Sequence, residues 1–155
     1  ALENVRFSMT LKSIGNYAFK GDSALKSAAF GTSLEHVGKL AFYGCNELTF
    51  YLGADSEGEG FDELWNASYR PVIYGATIAD GAVTGFNGKA ENIINDKNIN
   101  GVSAPYKKSF VFLGWSYTEG GEAEIPADKL KENADGRELF AVYQENFSQG
   151  SEANE

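Results

Sequence analysis

Acidic side chains alternate with small residues at two places in this chain, Asp55-Ser-Glu57-Gly-Glu59-Gly60 and Glu122-Ala-Glu124. Two kinds of chemistry use such spacing. A pair of carboxylates can share general acid and nucleophile roles, as in glycoside hydrolysis. Oxygen ligands at positions 1, 3 and 5 with Gly at 6 can also wrap a calcium ion. The calcium reading stalls further along, because position 8 is Asp62 rather than an apolar residue and position 12 is Asn66, which offers no bidentate carboxylate. The hydrolytic reading lacks an apolar wall to raise one pKa, since Glu57/Glu59 and Glu122/Glu124 both lie in Gly-rich stretches. Solvated loops are the plain expectation for both.

The single histidine, His36, and the single cysteine, Cys45, stand alone. One cysteine forms no internal disulfide, and no CxxC or Cys/His cluster offers a zinc site. No G-x-S-x-G, Gly-rich phosphate loop or H-E-x-x-H occurs. The sequence therefore predicts a chain that is not an enzyme, with no catalytic residue, no metal ligand and no cofactor.

The elements that would have to position any site come from a repeat. Residues 11–25, LKSIGNYAFKGDSAL, align with residues 34–48, LEHVGKLAFYGCNEL, at a spacing of 23, with six of fifteen positions identical. The identities are Leu11/Leu34, Gly15/Gly38, Ala18/Ala41, Phe19/Phe42, Gly21/Gly44 and Leu25/Leu48, with Ile14/Val37 conservative. A fixed period in this range is the mark of a solenoid whose coils stack and bury a continuous core. LENVRF and LKSAAF read as short strands whose inward residues fall at i, i+3 and i+5, while Gly15 and Gly38 suit a sharp corner. Ala and Phe fill the interior, small beside large. His36 occupies the repeat position of Ser13, so it is expected at the surface, and Cys45 reads as a small buried filler.

These residues resemble the BspA-type leucine-rich repeats of bacterial surface proteins, a pattern close to L-x-x-I-G-x-x-A-F-x-G-C-x-x-L. The resemblance covers residues 1–54, with Cys45 on the pattern and Asp22 off it. After Leu48 the period fails, and the stretch 55–75 is similar to the segment that closes such arrays. Phe61, Asp62, Trp65, Asn66, Pro71 and Val72 carry that match, and Trp65 is expected to cover the end of the solenoid core. Two complete repeats follow a strand already inside a coil at Leu2. The chain is thus expected to be a C-terminal or processed piece of a longer protein, without its signal peptide.

Beyond residue 76 the pattern changes. TIADGAVTGF is a hairpin whose Asp80-Gly81 suits a turn with positive φ at both central residues. A polar stretch with apolar anchors at Ile93, Ile94 and Ile99 follows. SFVFLGW then reads as a strand, ADKLKENADG (127–136) as a short helix ended by Gly136, and ELFAVYQ as a final strand. APYKKSFVFLGWSYTEGG with ELFAVY is similar to the internalin B-repeat family. Ala104, Pro105, Lys107, Phe110, Phe112, Gly114, Trp115, Leu139 and Ala141 match, and Tyr143 matches as an aromatic; Ser109, Ser116 and Tyr143 stand where Gly, Tyr and Trp are usual. This resemblance implies a β-grasp-like domain over 76–146 with Trp115 in its core. The polar tail 147–155 is expected to be disordered. The fold class is thus mixed α+β: a β-rich leucine-rich-repeat solenoid with a C-terminal cap, plus a small β-grasp-like domain.

Composition narrows the partners. Thirteen basic against 22 acidic side chains give a net charge of −9, which repels phosphate backbones, so nucleic acid is not an expected partner. No apolar run reaches membrane-spanning length, so no membrane insertion is expected. The two resemblances imply an extracellular or cell-surface bacterial setting and a monomeric module that contacts a protein or a glycan. The second domain would then be a spacer or second contact site. The alternative is a carbohydrate-binding or accessory region of a larger secreted enzyme. The expected contact surface is the set of repeat positions left free by the core: Lys12, Ser13, Asn16, Lys26, Ser27, Glu35, His36 and Lys39. Two folded units meeting near residues 76–82 are expected.

Overall fold

A computed structural model describes residues 3–89, 92–94, 102–130 and 135–146. The apolar anchor expected at Ile99, the second half of the helix expected over 127–136 and the tail 147–155 fall outside these residues.

The chain coils three times. Strands β1 (Asn4–Arg6), β3 (Ser27–Phe30), β5 (Thr49–Leu52) and β7 (Val72–Ile73) stack in parallel along one side. Strands β2 (Ser13–Ile14), β4 (His36–Val37) and β6 (Gly60–Phe61) stack in parallel along another. Asn4 lies beside Ser27, Ser27 beside Thr49 and Phe50 beside Val72. Steps of 23, 22 and 22 residues follow from those registers. The period that fails in the sequence after Leu48 therefore persists in the backbone. Residues 55–73 form a third coil whose side chains are changed to suit an end.

Aromatic rings fill the coils and interlock. The Phe19 ring stacks on Phe42 with centroids 5.2 Å apart, and Phe42 meets Phe50 edge-on at 4.9 Å. Phe50 meets Trp65 at 4.8 Å, and Phe61 meets Trp65 at 5.1 Å. Trp65 thus closes the core at the third coil, as its place in the sequence predicts. Ala41, Phe42 and Cys45 are buried, whereas the equivalent Phe19 of the first coil is half-buried and Ala18 is exposed. Gly38 answers to a close approach: a Cβ there would lie 2.4 Å from the Asn16 backbone nitrogen in the coil before. Steric contact between coils, rather than a positive φ, requires glycine at that corner.

The second module is an antiparallel sheet in the order β11-β12-β9-β8. Its strands are β8 (Thr77–Ala79), β9 (Ala82–Asn87), β11 (Phe110–Ser116) and β12 (Glu138–Glu145). The β8–β9 turn has positive φ at both Asp80 and Gly81, as the dipeptide requires. Helix is close to nil among the described residues: a 3-10 turn at Ala127–Lys129 and one residue, Asn92, of another. The expected α+β character is therefore not what the described residues display.

The two modules do not meet only at residues 76–82. β10 (Ile93–Ile94) leaves the second module and pairs antiparallel with β7, completing the five-stranded sheet β1-β3-β5-β7-β10. Ala29, Tyr51 and Ile73 point away from the solenoid core and join Val83, Phe86, Ile93, Val102, Trp115, Ile125, Leu130 and Leu139 in a second core. β3 and β5 are consequently buried on both faces. Three hydrogen bonds fasten the segment at Ser103 to β5 and its approach. Tyr51 Oη donates to the Ser103 carbonyl (2.5 Å), Ser103 N donates to Thr49 Oγ1 (2.8 Å), and Ser103 Oγ donates to the Glu47 carbonyl (2.6 Å). Trp115 is fully buried, and its indole N–H has no partner among the described residues.

Candidate functional site

The short strands β2, β4 and β6 expose one residue each on their outer side: Ser13, His36 and Gly60. Two-residue strands suffice because each is a corner of a coil, where one apolar side chain (Ile14, Val37, Phe61) points to the core and its neighbour points out. Gly60 carries no side chain because none fits. A Cβ there would lie 2.0 Å from His36 Nδ1 and 2.5 Å from the Glu35 carbonyl. The imidazole of His36 lies across the next coil, and the surface steps down past it.

The result is a shallow groove of about 520 Å³ crossing three coils, with Ser13, Asn16, His36, Glu59 and Asp62 among its lining residues. Its polar groups are ordered by backbone contacts between coils. Asn16 Oδ1 accepts from Lys39 N at 2.8 Å, and the Lys12 carbonyl accepts from Glu35 N and His36 N at 2.8 and 3.1 Å. Asp62 N donates to the Val37 carbonyl at 2.8 Å, and Asp62 Oδ1 accepts from Leu64 N. A groove of this kind offers hydrogen-bond donors and acceptors to a ligand, with the carboxylates of Glu59 and Asp62 on one side.

The eight residues expected at a contact surface split between two places. Ser13, Asn16 and His36 line the groove, and Lys12, Glu35 and Lys39 are exposed beside them on the same coil edges. Lys26 lies at the start of β3 on the other side, where its ammonium pairs with Glu3 at 3.3 Å. Ser27 is only 2% exposed, and it leaves the contact set because the second module covers its strand. Glu59 and Asp62 belong to the groove but were not among the expected contacts. The sign that could have found them is spacing, since Gly60 stands 24 residues after His36.

The isolated residues have structural duties. Cys45 is buried, its thiol donates to the Phe19 carbonyl at 3.2 Å, and burial, aided by the nearby Asp22 charge, pushes its pKa up to about 11. Glu57 accepts a hydrogen bond from Trp65 Nε1 at 2.9 Å. Glu124 accepts from Tyr117 N at 3.0 Å and from Ser116 Oγ at 3.3 Å. Among the described residues no three His, Cys, Asp or Glu side chains gather as a metal site, and no helix is long and apolar enough to cross a membrane.

Residues 1–56 match the family model described as the BspA type leucine rich repeat region. The first two coils are thus similar to BspA-type leucine-rich repeats. Repeats of this family are generally surface or protein-interaction modules. The match covers the BspA-type coils as far as the loop after β5 and does not extend into the second module. No curated protein and no solved structure matches the chain.

Proposed function

We propose that this chain is a non-enzymatic interaction module of an extracellular bacterial surface protein, and that it holds a protein or glycan in the groove over β2, β4 and β6. The observation that carries the reading is the burial of the opposite sheet. With β3 and β5 covered on both faces, the expected contact positions that remain in solvent, Lys26 apart, lie in this groove or beside it. Between coils these positions change (Ser13 to His36, Asn16 to Lys39) while the core positions stay fixed, which is how a repeat scaffold varies its surface at constant fold. The second module, read as a β-grasp-like internalin B-repeat, serves as spacer and lateral brace.

Charge reversal tests it. Glu35→Lys with Lys39→Glu should weaken binding to a partner found on a glycan or protein array while leaving the melting temperature in place. Lys26→Glu, on the other side of the solenoid, should do neither. Equal loss from both variants would overturn the groove as the site, and turnover of any glycan by the purified chain would overturn the non-enzymatic reading.

A further inference from the structure

A second concave feature lies on the third coil and shares no lining residue with the groove. Glu57, Glu63, Trp65, Asn66, Tyr69 and Tyr74 are among the residues that line a pocket of about 190 Å³, with Arg70 and Val72. Three of its walls are aromatic. The indole of Trp65 is fixed by Phe50 and Phe61 behind it, and Tyr74 is half-buried. Tyr69 is 41% exposed and held in the left-handed region at φ 55°. That conformation is unusual for a non-glycine residue and persists only where the surroundings impose it. Asn66 imposes it: its Oδ1 accepts from Arg70 N at 3.0 Å, its Nδ2 donates to the Arg70 carbonyl at 2.9 Å, and its own carbonyl accepts from Tyr69 N at 2.8 Å. The turn is thus locked with the tyrosine at the rim.

The charge in the pocket is negative. Glu57 is oriented by Trp65 Nε1 at 2.9 Å, a bond that uses one carboxylate oxygen and leaves the other. The Glu57 charge also helps burial to raise the pKa of Tyr74, which places the carboxylate near that phenol. Glu63 adds a second carboxylate at the margin. Arg70 does not fill the space with positive charge. Its Nε donates to the Leu48 carbonyl at 2.7 Å, and its guanidinium is buried against the solenoid on the side of Glu47. Aromatic faces together with a preoriented carboxylate are the recognition chemistry of an organic cation: ring quadrupoles attract it, and the acid supplies the ion pair. A neutral sugar would stack on the rings and donate its hydroxyls to the carboxylates, but only a cation gains the ion pair.

We propose that this pocket binds an organic cation, the ammonium or guanidinium group of a lysine or arginine side chain on a partner protein. It is a site distinct from the groove over β2, β4 and β6 and does not depend on that groove having a ligand.

The test uses the full chain and short blocked peptides, glycine-flanked and carrying one central lysine, arginine or acetyl-lysine. The indole N–H resonance of Trp65, assigned with Trp65→Phe, reports occupancy. The lysine or the arginine peptide should shift it in a saturable way, and the acetyl-lysine peptide should not. Glu57→Gln keeps an acceptor for Trp65 but removes the charge, and Tyr69→Ala trims an exposed ring. Each should weaken the peptide about tenfold, the size of a partly desolvated cation–aromatic or ion-pair contact. Raising salt should weaken binding to the parent chain and leave Glu57→Gln less sensitive. Equal binding of acetyl-lysine, binding of a neutral disaccharide in place of the peptides, or no shift at millimolar peptide would each overturn the proposal. Groove variants such as Glu35→Lys should leave this response unchanged, so failure here and failure of the groove are separate results.

Discussion

At the scale of single residues, the repeat predicts equal roles for equivalent positions, and the structure separates them. Phe42 is sandwiched between Phe19 and Phe50 and is fully buried, whereas Phe19, between Phe42 and an edge-on Phe7, is only half-buried. Phe42→Ala should cost about 3–5 kcal/mol and Phe19→Ala about half of that, because the cost follows the contacts and cavity left behind. Lys12→Ala should stay within about 0.5 kcal/mol. Urea midpoints of the three variants check this order. Gly60→Ala should destabilise by about 1–3 kcal/mol, since its Cβ meets both His36 Nδ1 and the Glu35 carbonyl. Adding His36→Ala should restore only part, because the carbonyl remains. Cys45 gives a prediction in pH. Its native pKa of about 11 lies above the unfolded value of 9.0, so the unfolded chain loses that proton first. Stability is fully present below pH 9 and falls as pH rises toward 11. Tyr51, Tyr74 and Tyr143 are shifted up as well, chiefly by burial, so their share is lost from about pH 10 upward. Denaturant midpoints across this range, with Cys45→Ala for comparison, should show a smaller early decline in the variant.

At the scale of elements, the coils were legible because their constraints are local. Leucine, glycine, alanine and phenylalanine must recur at the stacking period or the rings do not meet, so self-alignment alone locates β1 to β5. The third coil was illegible as a coil because its closing residues trade the repeat for a cap: Trp65 takes the end of the core and Asn66 ties the turn. The burial of the outer sheet face left a trace that could have been read. Tyr51 and Ile73 are large side chains at outward positions, and TFYL does not alternate as a half-exposed strand does. The groove was legible in part, through Ser13, Asn16 and His36. Its acidic side was not, because Glu59 and Asp62 lie where the pattern no longer marks register. The docking of the 102–103 segment makes its own prediction. Tyr51→Phe removes the bond to the Ser103 carbonyl and should cost about 1 kcal/mol. Amide exchange at Val102 and Ser103 should accelerate more than at Ile14 or Val37.

For the whole molecule, the core that Ala29, Tyr51 and Ile73 share with the second module is the feature to test. Trp65 reports the solenoid core and Trp115 the core that spans both modules. Trp115→Phe and Trp65→Phe each leave one fluorophore, and their unfolding curves should coincide once the stability difference between the two variants is allowed for. A first transition seen by Trp115 alone, with the Trp65 signal still native, would mean that the second module comes away while the coils persist. The loop from Asp55 to Gly60 should remain the first site of limited proteolysis, because it is largely exposed between β5 and β6.

The antiparallel strand β10 at the margin of the five-stranded sheet has a genetic corollary. Parallel neighbours such as β1 and β3 are interchangeable steps of 23 residues, so a tandem duplication of one step inserts a coil in register and leaves every other coil's neighbours of the same kind. Past β7 the same duplication would present a parallel newcomer to a position that β10 occupies in the reverse sense. A chain with one 23-residue step duplicated before β3 should therefore fold, whereas one with a step inserted between β7 and β10 should not, as circular dichroism and melting would report.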